Sequence, residues 1–375
     1  MGNRAGLPSG NRFAAIAEAS GRLFGQIGLT IVSRIVALLL VLGLGFFLAA
    51  CSGLKPGDAR AMQPLKTAVV DKLKGMGSSP GEGMVIRIFK ESSELEVWKR
   101  TAGGAYKHFR TYEICAWSGE LGPKVVEGDR QSPEGFYTIT PGLLNPRSNF
   151  YLAFNTGYPN KFDRAHGRTG SNLMVHGDCS SRGCYSMTDE SIAEIYALVR
   201  ESFMGGNASV QLQIFPFRMT PQNLARHASS PHFAFWKNIK EGYDRFELTR
   251  KPPLWDVCNK QYVFDLRRSG TEVLNAVDAC PPVSSDDTMI AALAKKQAAD
   301  DAAMAAEVAA LEAENARAAD EAAKRAAEEA ALKARGEAIG SFVSGIFGGG
   351  KDDGAGKVVD PNLVAPVPAP RIKRG

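Results

Sequence analysis

His176-Gly177-Asp178-Cys179-Ser180-Ser181-Arg182-Gly183-Cys184-Tyr185-Ser186-Met187 sets a histidine eight residues ahead of a cysteine, with a glycine after the first and before the second. A Cys/His pair is the minimum equipment for thiolate catalysis: the imidazole takes the thiol proton and the thiolate attacks a carbonyl. Eight residues would span roughly 26 Å in an extended strand. The segment must therefore turn back on itself for the two groups to meet. Gly177 and Gly183 suit such a turn, because glycine reaches backbone angles that other residues avoid. Competing readings are a buried thiol, which is a common role for a free cysteine, and a metal site. No CxxC or HxxxH spacing supports structural zinc, so no metal is expected. A papain-type protease would place its cysteine before its histidine.

Outward from this run the chain reads as mainly β. Met84 to Phe89, Leu95 to Trp98, Phe109 to Trp117 and Phe136 to Ile139 are short β-favouring runs. Val210 to Phe215 alternates, with Val210, Leu212 and Ile214 on one face, as a half-buried strand does. Short strands broken by Gly and Pro point to a sandwich rather than a parallel sheet. One helix follows the Cys/His run. Thr188 caps it, Asp189 and Glu190 occupy the first turn, and Ile192, Ile195, Tyr196 and Val199 form one apolar face. Cys184 thus stands just ahead of a helix N-terminus, a position that lowers a thiol pKa.

Arg164-Ala165-His166-Gly167, His176-Gly177 and Ser181-Arg182-Gly183-Cys184 together resemble the L,D-transpeptidase catalytic domain (YkuD) family, and within it the YafK-type murein L,D-transpeptidases. Gly122-Pro123-Lys124, Gly128-Asp129, Ser132-Pro133-Glu134-Gly135-Phe136-Tyr137, Phe215-Pro216-Phe217-Arg218-Met219-Thr220 and Thr249-Arg250-Lys251-Pro252-Pro253 extend the resemblance over about residues 83 to 262. The resemblance implies a mixed-sheet β-sandwich with a few helices. It implies Cys184 as nucleophile, His176 as general base and Gly183 in the oxyanion-hole region, where amide donors stabilise charge developing on the carbonyl oxygen. It also implies peptidoglycan stem peptides as substrate, a wall-linked lipoprotein as a further partner, and no cofactor. Arg164 and Arg182 are candidates for holding substrate carboxylates, and His166 for lining the site. For Arg182 and His166 an ordinary surface or structural role weighs about equally. Arg182 and Ser186 stand where the wider family keeps a histidine and an arginine. That departure leaves transpeptidation and hydrolysis open, with a non-catalytic wall-binding lipoprotein as the other class.

Arg34 is followed by an apolar run from Ile35 to Ala50 that ends Leu48-Ala49-Ala50-Cys51. The run is short for a membrane span, which needs about 20 residues, and suits a signal sequence. Residues 1–51 read as a targeting segment with Cys51 as a lipidated residue. Cleavage after Ala59-Arg60-Ala61 and an uncleaved anchor are the alternatives. Each places the rest outside the cytoplasm, in the periplasm, held to a membrane by the lipid anchor in the first case. Without Cys51 five cysteines remain, an odd number that leaves one thiol unpaired. With Cys184 as the nucleophile, Cys258 and Cys280 are expected to pair, and Cys115 with Cys179 is a candidate second pair. A net charge of +5 over 375 residues does not suggest a nucleic-acid partner.

The expected domain order is a linker over 52–82, the catalytic domain over 83–220, a packed extension over 221–282, a long Ala-rich helix over 283–340, and a flexible Gly/Pro-rich tail over 341–375. The helix follows from composition: alanine, glutamate and lysine are strong helix formers.

Overall fold

The computed structural model describes residues 56–266, 274–281 and 287–347. The targeting segment with Cys51, and the tail beyond Phe347, lie outside the described residues. Two compact units divide between Arg60 and Ala61, and the second contains the elements that follow.

The first sheet joins β1 (Met84–Phe89), β2 (Glu94–Arg100), β3 (Tyr106–Glu113), β5 (Gly135–Ile139) and β10 (Val210–Phe215) in the order β3-β2-β1-β10-β5. Only β1 and β10 run parallel. The second sheet is built from β4 (Ala116–Trp117), β6 (Leu144–Asn145), β7 (Ala153–Asn155), β8 (Met174–His176) and β9 (Tyr185–Ser186), in the order β4-β9-β8-β7-β6. Here β8 and β9 are the parallel pair. The stretch expected as one strand from Phe109 to Trp117 is therefore two, one in each sheet. Ile114 and Cys115 make the crossing, and the Cys115 N–H donates to the Ser186 carbonyl.

The sheets face each other across one core. Ile86, Ile88, Leu212 and Ile214 of the first sheet meet Phe154, Val175 and Tyr185 of the second. The helices α1 (Thr67–Gly75) and α3 (Asp189–Met204) add Val69, Leu73, Ile192, Ile195 and Val199. Residues 52–82 are thus not only a linker. Val69 and Leu73, four residues apart on one helical face, are fully buried in this core.

The first sheet is covered on its other face too. There Phe89, Phe136 and Phe215 pack against Trp236 and Ile239 of α5 (Phe233–Thr249). They also meet Val257, Tyr262 and Phe264 of the β11–β12 hairpin (Trp255–Cys258, Gln261–Phe264). Strand β10 is consequently buried on both faces, Gln213 included, rather than half-buried. The alternation misleads because the polar side chains of this strand are partnered inside: the Gln213 amide donates to Gln211 Oε1, and the Gln211 amide donates to the Pro253 carbonyl. Two shorter helices complete this unit, α2 (Lys161–Ala165) and α4 (Pro221–Arg226).

Helix α6 runs from Asp287 to Phe347, 61 residues, or about 92 Å. Its first turns dock on α4 and α5 through Lys296 to Asp244, Lys237 to Asp301 and Gln222 to Glu307, with Met304 against the second core. From Glu312 to Ile346 every side chain is exposed. The apolar stretch 341–347 continues this helix instead of opening the flexible tail.

Candidate active site

His176 ends β8 and Cys184 immediately precedes β9. The parallel register pairs Val175 with Tyr185 and His176 with Ser186, so Cys184 lies level with Met174. Val175 and Tyr185 point into the core and are fully buried. Residues 174, 176, 184 and 186 therefore point to the other face, because side chains alternate along a strand. His176 and Cys184 are diagonal neighbours on that face, about 7–8 Å apart at the backbone. The eight-residue offset is closed by a parallel strand pair with a turn between.

The turn is held in three ways. Gly177 is packed so tightly that a Cβ there would stand 2.5 Å from Asp189 Oδ1 and 3.0 Å from the Phe150 carbonyl oxygen. Gly183 has φ +114°, a backbone region in which other residues are strained. Between them Cys179 is disulfide-bonded to Cys115 across 64 residues of chain. Asp189, in the first turn of α3, accepts the Asp178 N–H at 3.0 Å.

The Cys184 carbonyl receives two hydroxyls, from Ser181 at 2.7 Å and Ser132 at 3.1 Å. Its thiol takes the Met174 N–H at 3.4 Å and approaches the Asn172 carbonyl at 3.8 Å. Cys258 pairs with Cys280, and Cys184 is the free cysteine among the described residues, as the cysteine arithmetic anticipates. His176 directs Nδ1 at the Gly177 carbonyl, 2.5 Å away. Nδ1 therefore carries the proton, which leaves Nε2 basic. The exposed ring of Phe150 covers the imidazole at 4.7 Å between centroids.

Burial pushes the Cys184 thiol above its ordinary value, with the Met174 N–H and the Lys124 ammonium opposing. The helix N-terminus does not win: two strand residues, Met187 and the Thr188 cap separate Cys184 from Asp189, and the dipole falls off within a turn. Burial likewise pulls His176 down, against the Gly177 carbonyl and Asp178. Both shifts favour the uncharged forms, thiol and neutral imidazole.

The remaining candidates lie apart from this pair. His166 directs Nε2 at the Lys260 carbonyl, 2.8 Å away, which ties the end of α2 to the β11–β12 turn, and its ring lies tilted against Phe162 at 4.4 Å between centroids. Arg164 is exposed and donates to the Pro159 carbonyl. Arg182 is exposed in the turn itself. Ser186 is fully buried and donates to the Ala116 carbonyl at 2.9 Å.

Lys124 is not readable as a site residue from its motif alone. Lys124 sits in the Gly122-Pro123-Lys124 motif, buried and paired with Asp129. Its stem packs where a Gly170 side chain would be, two residues from the Asn172 carbonyl that Cys184 touches. The loop carrying it is fixed by Glu134, which is fully buried and accepts from Lys90, the Gly122 N–H and Trp236.

The model of the L,D-transpeptidase catalytic domain (YkuD) matches residues 85–211, a span that holds the second sheet, the turn and the pair and reaches the first residues of β10. A protein of Escherichia coli strain K12 named "Putative L,D-transpeptidase YafK" is 48% identical over 183 residues, which cover 49% of this chain and 74% of that protein. This chain belongs to the L,D-transpeptidase catalytic domain family. The same-named protein of Escherichia coli O157:H7 matches equally. Among solved structures, the helical cell shape determining protein Pgp2 of Campylobacter jejuni aligns with TM-score 0.28 and 22% identity over 43% of this chain. The alignment spans 56% of that protein's length. As an L,D-transpeptidase-like protein, the chain is a peptidoglycan-related enzyme.

Proposed function

We propose that the chain is an exported cysteine acyltransferase of peptidoglycan remodelling that works through a thioester on Cys184. His176 Nε2 takes the Sγ proton as sulfur attacks a stem-peptide carbonyl, which in family terms is that of a donor containing meso-diaminopimelate. The C–S bond forms, the C–N bond breaks, and imidazolium returns the proton to the leaving amine. An incoming amine then takes the acyl group, giving transpeptidation. Gly183 places the backbone where amide donors meet the developing oxyanion, and Arg182 and Arg164 offer guanidinium groups to substrate carboxylates. Cys51 anchors the protein to a membrane on the periplasmic side.

The observation that carries this reading is the free thiol of Cys184 on the same sheet face as His176 while the four other described cysteines are paired. Cys184→Ala is expected to abolish turnover of muropeptides and labelling by a carbapenem-type acylating agent. Full retained turnover refutes the assignment.

One observation favours water as the resolving nucleophile. Ser186 stands where the wider family keeps an arginine, and its hydroxyl is buried on the Ala116 carbonyl. No cation at that position greets an acceptor. The hydrolytic reading makes the enzyme one that releases a lipoprotein from peptidoglycan. Mass analysis of products with and without an added amine separates the two.

A further inference from the structure

Helix α6 changes character at its far end. Leu332, Ile339, Phe342, Val343 and Ile346 are all exposed, between 48% and 72%. At 100° per residue they fall within one stripe of about 100°, the width of an apolar helix face. The opposite side carries Glu337, Ser341, Ser344 and Gly345, and no charged residue occurs from Ala338 to Gly350. The rest of the exposed helix is alanine and charge.

Two occupants suit a bare apolar helix face: a second copy of this chain or a lipid surface. A second copy needs the stripe to continue as a seam, and it does not. One heptad upstream of Phe342 stands Arg335, and two heptads upstream of Ile339, Phe342 and Val343 stand Arg325, Glu328 and Glu329. The stripe therefore covers about two heptads, where a coiled coil needs three to four. Five side chains also fall well short of the roughly 800 Å² per partner of a standard interface. A lipid surface needs no seam. A short amphipathic helix lies in the interface plane with its apolar side sunk about 5–10 Å toward the acyl chains. No helix among the described residues is long and apolar enough to cross a membrane, so the tip lies on the bilayer rather than spanning it.

We infer that the last turns of α6, Ile339–Phe347, are a docking face for a phospholipid bilayer, carried at the end of a solvated helical arm. The arm is fixed to the catalytic unit near Lys240 and Asp244 by Asp300 and Lys296. About 32 residues separate the last docking contact, at Glu307, from the start of the tip at Ile339, a reach of about 48 Å. The contact is apolar, so it requires no anionic lipid.

The test is amide hydrogen exchange of the full chain with and without phosphatidylcholine vesicles, compared with the variant Ile339→Ser/Phe342→Ser/Ile346→Ser. Amides of 339–347 are expected to slow about tenfold or more on vesicles in the parent and not in the variant. Those of the two sheets should match in both proteins, which shows that the variant is folded. Co-sedimentation first matches the amount of each protein held at the vesicles, so the difference reports the tip alone. Unchanged exchange at 339–347 in the parent overturns the proposal. Protection that appears without vesicles and rises with protein concentration also overturns it, in favour of a second copy.

Discussion

Replacing Cys115 and Cys179 with alanine removes the bond that pins the turn between His176 and Cys184. In the chain-entropy account, a closed loop of 64 residues is worth about 4.3 kcal/mol at 25 °C. For a unit of this size that lowers Tm by roughly 8–16 °C. The Cys258–Cys280 bond closes 22 residues and is worth about 3.4 kcal/mol on the same scale. The two bonds are thus close in stability and opposite in position, one inside the catalytic turn and one in the hairpin extension. Their double-alanine variants form a matched pair. Unfolding of each is followed by circular dichroism, and muropeptide turnover is measured well below both midpoints. Both variants should lose stability. Only Cys115→Ala/Cys179→Ala should also lose turnover, by about a hundredfold, as expected when reacting groups drift by around 1 Å. Equal turnover in the two variants refutes the reasoning, because the turn would then hold its geometry unaided.

Gly177→Ala brings a methyl to 2.5 Å from Asp189 Oδ1 and 3.0 Å from a backbone oxygen; a stability loss of about 1–3 kcal/mol and a larger fall in turnover are expected by calorimetry and muropeptide assay. His176 is held below the usual histidine value and Cys184 above that of a thiol. The acid limb of kcat/KM should therefore fall below about pH 6.5, since the base stays neutral to lower pH, while alkylation of the free enzyme should still be rising at alkaline pH. A pH profile of each checks the two signs. Lys124→Met removes a cation that favours the thiolate, so alkylation of Cys184 at fixed pH should slow about threefold to tenfold. Lys124→Arg should restore most of it, an outcome that a purely structural role would not give.

What the sequence discloses is what depends on local pattern. Strands Met84–Phe89 and Val210–Phe215 and the helix capped by Thr188 are found at those bounds because their apolar spacing and caps are short-range signals. The crossing at Ile114–Cys115 is not such a signal. It depends on which sheet offers partners, and Ser186 supplies one from far along the chain. Helix α1 escapes for a related reason: Val69 and Leu73 alone make a weak stripe, and only the core they enter gives it weight. At the site, types and order are legible, since a histidine, a glycine-bounded turn and a cysteine are visible in one run. Environment is not. His166 is engaged by a carbonyl 94 residues away, and Lys124 acquires meaning only from what folds onto it.

The protonation state of the pair bears on why the turn holds a disulfide at all. A thiolate is the attacking species in thiol–disulfide exchange, and Cys184 stands five residues from the Cys115–Cys179 bond. A nucleophile kept ionised at rest by its neighbours would threaten the bond that shapes its own turn. Burial instead raises the Cys184 thiol and lowers the His176 imidazole, both shifts favouring the uncharged forms, while Lys124 pulls the thiol the other way. The site therefore holds its reactivity in reserve. A carbonyl bound against the turn would give the proton transfer its purpose, and in the free enzyme the neutral pair lets a free thiol and a neighbouring disulfide persist in one loop.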